Sequence, residues 1–304
     1  MRVFISYSHQ QADWVCKRLV PCLEAGGADV LIDRERFKIG QAVVGQMDAL
    51  QDSAERHLLV LSPEYLGSEY CQHEMERALK LDPDFTEGLL LPVLRADCVL
   101  PEAFAGWNPP LYADLKNDTR PEPWDALLRE CGAEGLGAGA PDWLAARDEI
   151  VRLLNRRQSV NLVTQKGVNW NGLLAHIAKD FLPGLAEVNL EDPDTMSREG
   201  LLTTILRTLG ERVALPDKPH DLAGFKKVLN ARPVSQVALT RFDVVPYMDY
   251  YDVDLFAALR YLVMENGRKL TLLVQSHTAF GALLPKNHPL SEIDIKTVEL
   301  RGHP

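Results

Sequence analysis

The chain has 304 residues with 33 basic and 43 acidic side chains, a formal charge of −10. That length favours two domains of ordinary size, each able to bury its own core. The acidic balance argues against a broad phosphate-binding surface, so direct nucleic-acid or anionic-membrane binding is not expected. The five cysteines, Cys16, Cys22, Cys71, Cys98 and Cys131, form no CxxC pair and no Cys/His metal spacing, so they read as reduced thiols, with no metal expected; no bound cofactor is expected either. The start, MRVFISYSHQ, enters a strand without a charged and apolar leader, and no apolar run approaches the roughly 18 residues of a membrane span. A cytoplasmic location is expected.

Strands and helices alternate through the first half. Arg2–Ser6 is apolar, Gln11–Ala25 has helical spacing, Ala28–Ile32 is apolar, Ala42–Ser53 helical and Arg56–Leu61 apolar. Tyr70–Lys80 is then helical, Leu89–Leu94 apolar, with a short apolar stretch near Leu111–Leu115 and a helix over Pro121–Cys131. The pattern predicts an α/β domain with a parallel sheet over residues 1–131. Residues 132–141 (GAEGLGAGAP) hold four glycines and little that could pack, and are expected to be a linker. A helix over Trp143–Arg157 opens a second alternating pattern, residues 142–304. Its strands are Val160–Thr164, Glu187–Leu190, Gln236–Leu239, Lys269–Gln275 and Lys296–Leu300; its helices are Asn171–Phe181, Arg198–Val213, Leu222–Asn230 and Val253–Glu265. This half too predicts a wound parallel sheet.

In the first half the strand His57–Leu61 is closed by Ser62-Pro63, and Glu74 lies on the first turns of the next helix, at the carboxyl edge of the sheet where open α/β folds bind ligands. Tyr70 is four residues earlier, on the same helical face. Taken alone, Glu74 reads as an acid complementing a helix dipole, Cys71 as a packed thiol, and His57 and His73 as residues without ligand partners.

Three segments in order, VFISYSHQQADW, LIDRERFKIGQAV and LVLSPEYLGSEYCQHEMERAL, together resemble the TIR (Toll/interleukin-1 receptor) domain family over residues 1–131. The resemblance implies a flavodoxin-like parallel five-stranded sheet, with the loop Asp33–Gln41 overhanging the ligand edge and Gly40 its hinge. TIR domains are either scaffolds that assemble with one another or enzymes that split NAD+ at the nicotinamide–ribose bond. The enzymes carry a glutamate on the helix after the third strand, and Glu74 matches it. The resemblance thus implies NAD+ as substrate, Glu74 as the catalytic carboxylate, Tyr70 stacking on nicotinamide, and Tyr7, Ser8, Asp33, Arg34 and Phe37 lining the same edge. It further implies an enzyme of bacterial-type immune (antiphage) defence, switched on when TIR domains self-associate. The alternative is a TIR adaptor that recruits another TIR protein, with Glu74 merely structural.

The second half, WLAARDEIVRLL followed by VNLVTQKGVNWNGLLAHIA, resembles signal-transduction ATPases with a P-loop, VALTRFD and KLTLLVQSH taking the places of the Walker B and sensor strands. A working loop needs G-x-x-x-x-G-K-[ST]. Here Asn169, Trp170 and Asn171 stand at the second glycine, lysine and hydroxyl positions, and Thr240 at the first acidic position, leaving Asp243 downstream. The reading is a P-loop-like parallel-sheet domain that has lost its phosphate site and serves oligomerisation or a regulatory protein partner, for which Phe242–Phe256, acidic and aromatic, is one candidate surface and an ordinary packed loop the other.

Overall fold

The computed structural model describes residues 1–32, 43–105, 110–210, 222–264 and 268–302, and the chain divides into two compact units at Leu144/Ala145. The expected loop residues Asp33, Arg34, Phe37 and Gly40 lie outside the described residues.

Unit 1 is built on five parallel strands, β1 (Arg2–Tyr7), β2 (Asp29–Leu31), β3 (Arg56–Leu61), β4 (Leu90–Leu94) and β5 (Ala113–Asp114), in the order β2-β1-β3-β4-β5. This is the flavodoxin-like order, and its switch point lies between β1 and β3. Both central strands are nearly continuous apolar runs, as expected of strands covered on two faces. Pro92 is tolerated in β4 because β5 pairs only with Val93 and Leu94, so Pro92 sits where β4 has no outer neighbour. Two serine caps set the turn after β3. Ser62 accepts from Tyr65 N, with Pro63 at the first helical position of Pro63–Leu66, and Ser68 accepts from Cys71 N to start the helix Glu69–Leu81. Each cap satisfies an amide left without an intrahelical partner.

The glycine-rich stretch after Cys131 is folded, in contrast to the expected spacer. Ala133, Leu136, Ala138 and Ala140 are buried and Glu134–Leu136 forms a 3-10 turn. The absence of side chains is what allows packing: a Cβ on Gly26 would stand 2.1 Å from Ala133 O, and one on Gly135 would stand 2.7 Å from Gly26 O. Gly132 and Gly137 adopt positive φ values of 62° and 67°, conformations open to glycine at little cost. Gly26→Ala, at the end of the helix Val20–Gly26, is therefore expected to destabilise unit 1 by about 1–3 kcal/mol, the range for overpacking, although alanine is the better helix former. A lowered urea midpoint with an unchanged m-value would show it.

His57, on β3, is 2 % exposed and packs edge-on to Phe4 with ring centroids 6.3 Å apart. Burial holds its imidazole below the usual 6.5, the Arg77 charge adds to this and Asp52 opposes it. The unfolded chain takes up a proton as pH falls through about 6.5 while the folded chain resists. Stability is therefore full above 6.5 and is lost as pH falls from there towards the lowered folded value. His57→Phe is expected to flatten that part of the stability–pH curve in urea titrations compared with the parent chain. An equal slope in both proteins would contradict it.

Unit 2 carries β6 (Ser159–Thr164), β7 (Leu185–Asn189), β8 (Ser235–Thr240), β9 (Leu270–Ser276) and β10 (Ile295–Leu300), all parallel, in the order β10-β6-β9-β8-β7. The helix Ala140–Asn155 starts earlier than its sequence suggests because Gly139 O accepts from Trp143 N. One core gathers β7, β8 and β9 with the helices Arg198–Thr208, Leu222–Ala231 and Val253–Met264. Phe242, Val245, Tyr251, Leu255 and Phe256 belong to that core, so much of the aromatic stretch is packing, while Tyr247 and Val253 stay exposed. Among the described residues, no helix is long and apolar enough to cross a membrane.

Candidate functional site

The β1/β3 switch point brings Ser6, Tyr65 and Glu74 together. Strand alternation turns Ser6 and Phe4 to one face of the sheet and Ile5 and Tyr7 to the other. On the Ser6 face the helix Glu69–Leu81 runs back beneath the carboxyl edge, and one turn inside it the Glu74 carboxylate, 6 % exposed, accepts a hydrogen bond on Oε2 from Ser6 Oγ. Ser6 Oγ also lies 2.8 Å from Tyr65 Oη. The phenol is fully buried, and burial pushes it well above the usual 10; the charges of Glu74 and Cys71 push the same way and the Ser6 contact opposes them. Tyr65 therefore stays a phenol. From the other side Gln51 Nε2 donates to the main-chain oxygen of Glu74 at 2.9 Å. The helix Val43–Asp52 is further held to Glu69–Leu81 by Asp48 with His73 at 3.2 Å and by the close pair Arg77–Asp52.

The residues expected at this edge are distributed differently. Tyr70 is 59 % exposed at the rim, while Glu74 below it is buried, so shared helical spacing does not give the two a shared environment. Tyr7 ends β1 on the sheet face opposite Ser6, its ring 6.4 Å from that of His9. Ser8 caps the turn His9–Gln11 by accepting from Gln10 N at 3.4 Å. Ser6 and Tyr65 escaped the sequence reading, although the signals were present: a serine one residue before the end of an otherwise apolar buried strand, and a tyrosine in the turn between two capped helix starts.

A second polar cluster follows β4. Arg95 donates to Leu115 O and Lys116 O at 3.0 and 3.1 Å, and its guanidinium lies 4.9 Å from the centroid of Trp14. Trp14 Nε1 and Arg18 Nε both donate to Asp118 at 2.7 Å. With its cations tied to carbonyls, a ring and a carboxylate, this cluster clamps β4 to the segment after β5. No group of three metal-ligating side chains occurs among the described residues.

In unit 2 the turn that the sequence reading set against a phosphate loop carries its own helix cap. Asn169 caps the helix Trp170–Asp180 by accepting from Gly172 N at 2.9 Å, which occupies the end where an anion would sit. Trp170 is buried, and the Arg241 guanidinium covers its ring at 5.1 Å. Asp243 accepts from His277 N and Thr278 N at 2.7 and 3.1 Å, Gln275 bridges Thr164 Oγ1 and Arg241 N at 2.9 Å each, and Asn161 ties Ser276 Oγ to Phe280 N. These hydrogen bonds knit β6, β8 and β9 together.

A sequence model of the family described as "TIR domain" matches residues 3–129. Among curated proteins, Toll-like receptor 1 and Toll-like receptor 6 of Homo sapiens are each 32 % identical to this chain over 72 residues, 24 % of the chain and 9 % of each receptor. The match thus spans about a tenth of those relatives. Among solved structures, the TIR domain of the Toll-related receptor TRR-2 from Hydra magnipapillata is similar at 22 % identity and a TM-score of 0.37, over 42 % of this chain and 96 % of that one. The ORC2 protein of Aeropyrum pernix, in an ADPNP–ADP complex, is 16 % identical at a TM-score of 0.40 over 54 % and 47 %. A Walker-type ATPase of Pyrococcus abyssi is 12 % identical at 0.38 over 52 % of each chain.

Proposed function

We propose that the chain, whose residues 3–129 match the TIR-domain family model, is an NAD+ glycohydrolase with Glu74 as its acting carboxylate. The observation that carries the reading is the buried Glu74 carboxylate at the β1/β3 switch point, where open parallel sheets bind ligands. One carboxylate suffices for this reaction. The bond between C1′ of the ribose and the nicotinamide nitrogen breaks, its electron pair leaves with the ring, and the ring goes from cationic to neutral, so no general acid is required, in contrast to ordinary glycosides. Positive charge moves onto the ribosyl carbon and ring oxygen, and an anion fixed in a water-poor site stabilises it without reorganising. Water adds its oxygen at C1′ and releases a proton, giving ADP-ribose; attack by an atom of the adenine instead gives a cyclic isomer. Unit 2 serves association or a regulatory partner, bringing TIR domains side by side to switch the site on, in the cytoplasm and in defence against phage.

The non-enzymatic reading, a scaffold recruiting other TIR domains, shares that observation, since a structural acid would be buried and bonded to Ser6 in the same way. Nicotinamide release measured on the same sample as the oligomeric state separates the two. Demonstrable oligomers that release none would sink the enzyme reading.

A further inference from the structure

We propose that Ser6 and Tyr65 are the positioning residues of Glu74, a directed chain of hydroxyls that aims its carboxylate at the carboxyl edge of the sheet. The proposal rests on the reading of Glu74 as the acting group.

The direction follows from counting protons. A serine hydroxyl has one proton and two lone pairs, and the Ser6 proton points at Glu74 Oε2. The 2.8 Å contact with Tyr65 must then be the phenol donating to Ser6 Oγ, and Tyr65, held as a phenol by burial, has the proton to give. Donors in series polarise one another, so the Ser6 bond to the carboxylate is strengthened by Tyr65 behind it.

Packing alone does not ask for these hydroxyls. Tyr65 lies in an apolar cluster with Leu59, Leu61, Cys71 and Met75, where phenylalanine would fill the same space without desolvating a polar group. Ser6 stands in a buried strand between Ile5 and Tyr7, where alanine would do. Each hydroxyl is instead spent on the next group towards Glu74. The three residues come from β1, from the helix Pro63–Leu66 and from the helix Glu69–Leu81, so the carboxylate is referenced to the sheet itself and not to a surface loop.

The test uses the full chain and the variants Ser6→Ala, Ser6→Thr, Tyr65→Phe and Glu74→Gln. With NAD+ as substrate, Ser6→Ala is expected to lower kcat by about ten-fold or more with KM within about two-fold, as for an interaction made mainly in the transition state. Tyr65→Phe is expected to have a smaller effect in the same sense, and Ser6→Thr, which keeps the hydroxyl, to restore most of the rate. Active parent and Ser6→Thr proteins together with an equally active Ser6→Ala would overturn the proposal and leave the NAD+ reading intact. A second readout needs no turnover. The infrared carboxylate band of Glu74, isolated by subtracting the Glu74→Gln spectrum, is expected to move to higher frequency in Ser6→Ala and to return in Ser6→Thr. An unmoved band overturns the proposal whether or not the chain cleaves NAD+. A band that moves in a chain without activity removes the NAD+ reading alone.

Discussion

Glu74→Ala is expected to reduce nicotinamide release from NAD+ by about 10² to 10³-fold, the range found when a preorganised electrostatic contact to the transition state is removed. The size follows from the role proposed for the carboxylate: facing charge that exists only as the glycosidic bond breaks, its loss would fall on kcat more than on KM. Folding should survive. Glu74 is anchored through its helix by the Gln51 contact to its main-chain oxygen and by the neighbouring Asp48–His73 pair, neither of which needs its side chain. Alanine does leave Ser6 without its acceptor, so Glu74→Gln, which keeps an oxygen for Ser6, is the better-folded control with the same predicted loss. The measurement is fluorescence from an etheno analogue of NAD+ at protein concentrations where the chain self-associates. Equal rates for parent and Glu74→Gln would show that any cleavage occurs elsewhere.

Why the placement of Glu74 on the helix after β3 could be read from sequence, and its contacts could not, is a matter of distance along the chain. Glu74 follows a local signal, Ser62-Pro63, which closes an unbroken apolar strand, and helix-former composition after it. Element type and order could be read in the same way, from periodicity and punctuation. Ser6 meets Glu74 across 68 residues, through a strand pairing that no local pattern reports; a serine in an apolar strand looks like tolerated polarity until the opposing helix is in place. The different exposure of Tyr70 was hidden for the converse reason. Its i, i+4 relation to Glu74 is real, but exposure at a helix end depends on where the sheet edge lies, which the spacing does not encode. The glycines of residues 132–141 misled because composition cannot tell a free spacer from a segment whose small residues permit backbone contact, and the partner that decides it, Gly26, is more than a hundred residues earlier. In unit 2 the departures of Asn169 and Trp170 from the phosphate-loop pattern were visible, but their contacts were not: the indole is covered by Arg241, which follows β8.

Asp82→Ala is expected to destabilise unit 1 by roughly 3 kcal/mol or more. Asp82 is 1 % exposed at the end of the helix that carries Glu74, and its carboxylate gathers the turn that follows: Oδ1 accepts from Thr86 N at 2.9 Å and Glu87 N at 3.2 Å, and Oδ2 from Leu89 N at 3.0 Å. Leu89 O in turn accepts from His57 N at 2.7 Å, the first contact of the β3–β4 ladder, so the same carboxylate sets where β4 begins. Hydrogen bonds to a charged acceptor contribute about 1.5–3 kcal/mol each. Alanine would leave three amides without their acceptor, some of them regaining water, which is why the expected loss is nearer one to two such bonds than three. Asp82→Asn separates charge from shape. Its amide oxygen can keep Thr86 and Glu87, but its NH2 then faces the Leu89 N–H, donor against donor, so an intermediate loss is expected. For a unit of this size the alanine variant should lower Tm by about 6–12 °C. Calorimetry on the full chain resolves it if the transition of unit 1 moves while that of unit 2 stays. A variant that melts with the parent would mean that the 82–89 turn is held by its packing, through Phe85 on Phe104, and not by the buried carboxylate.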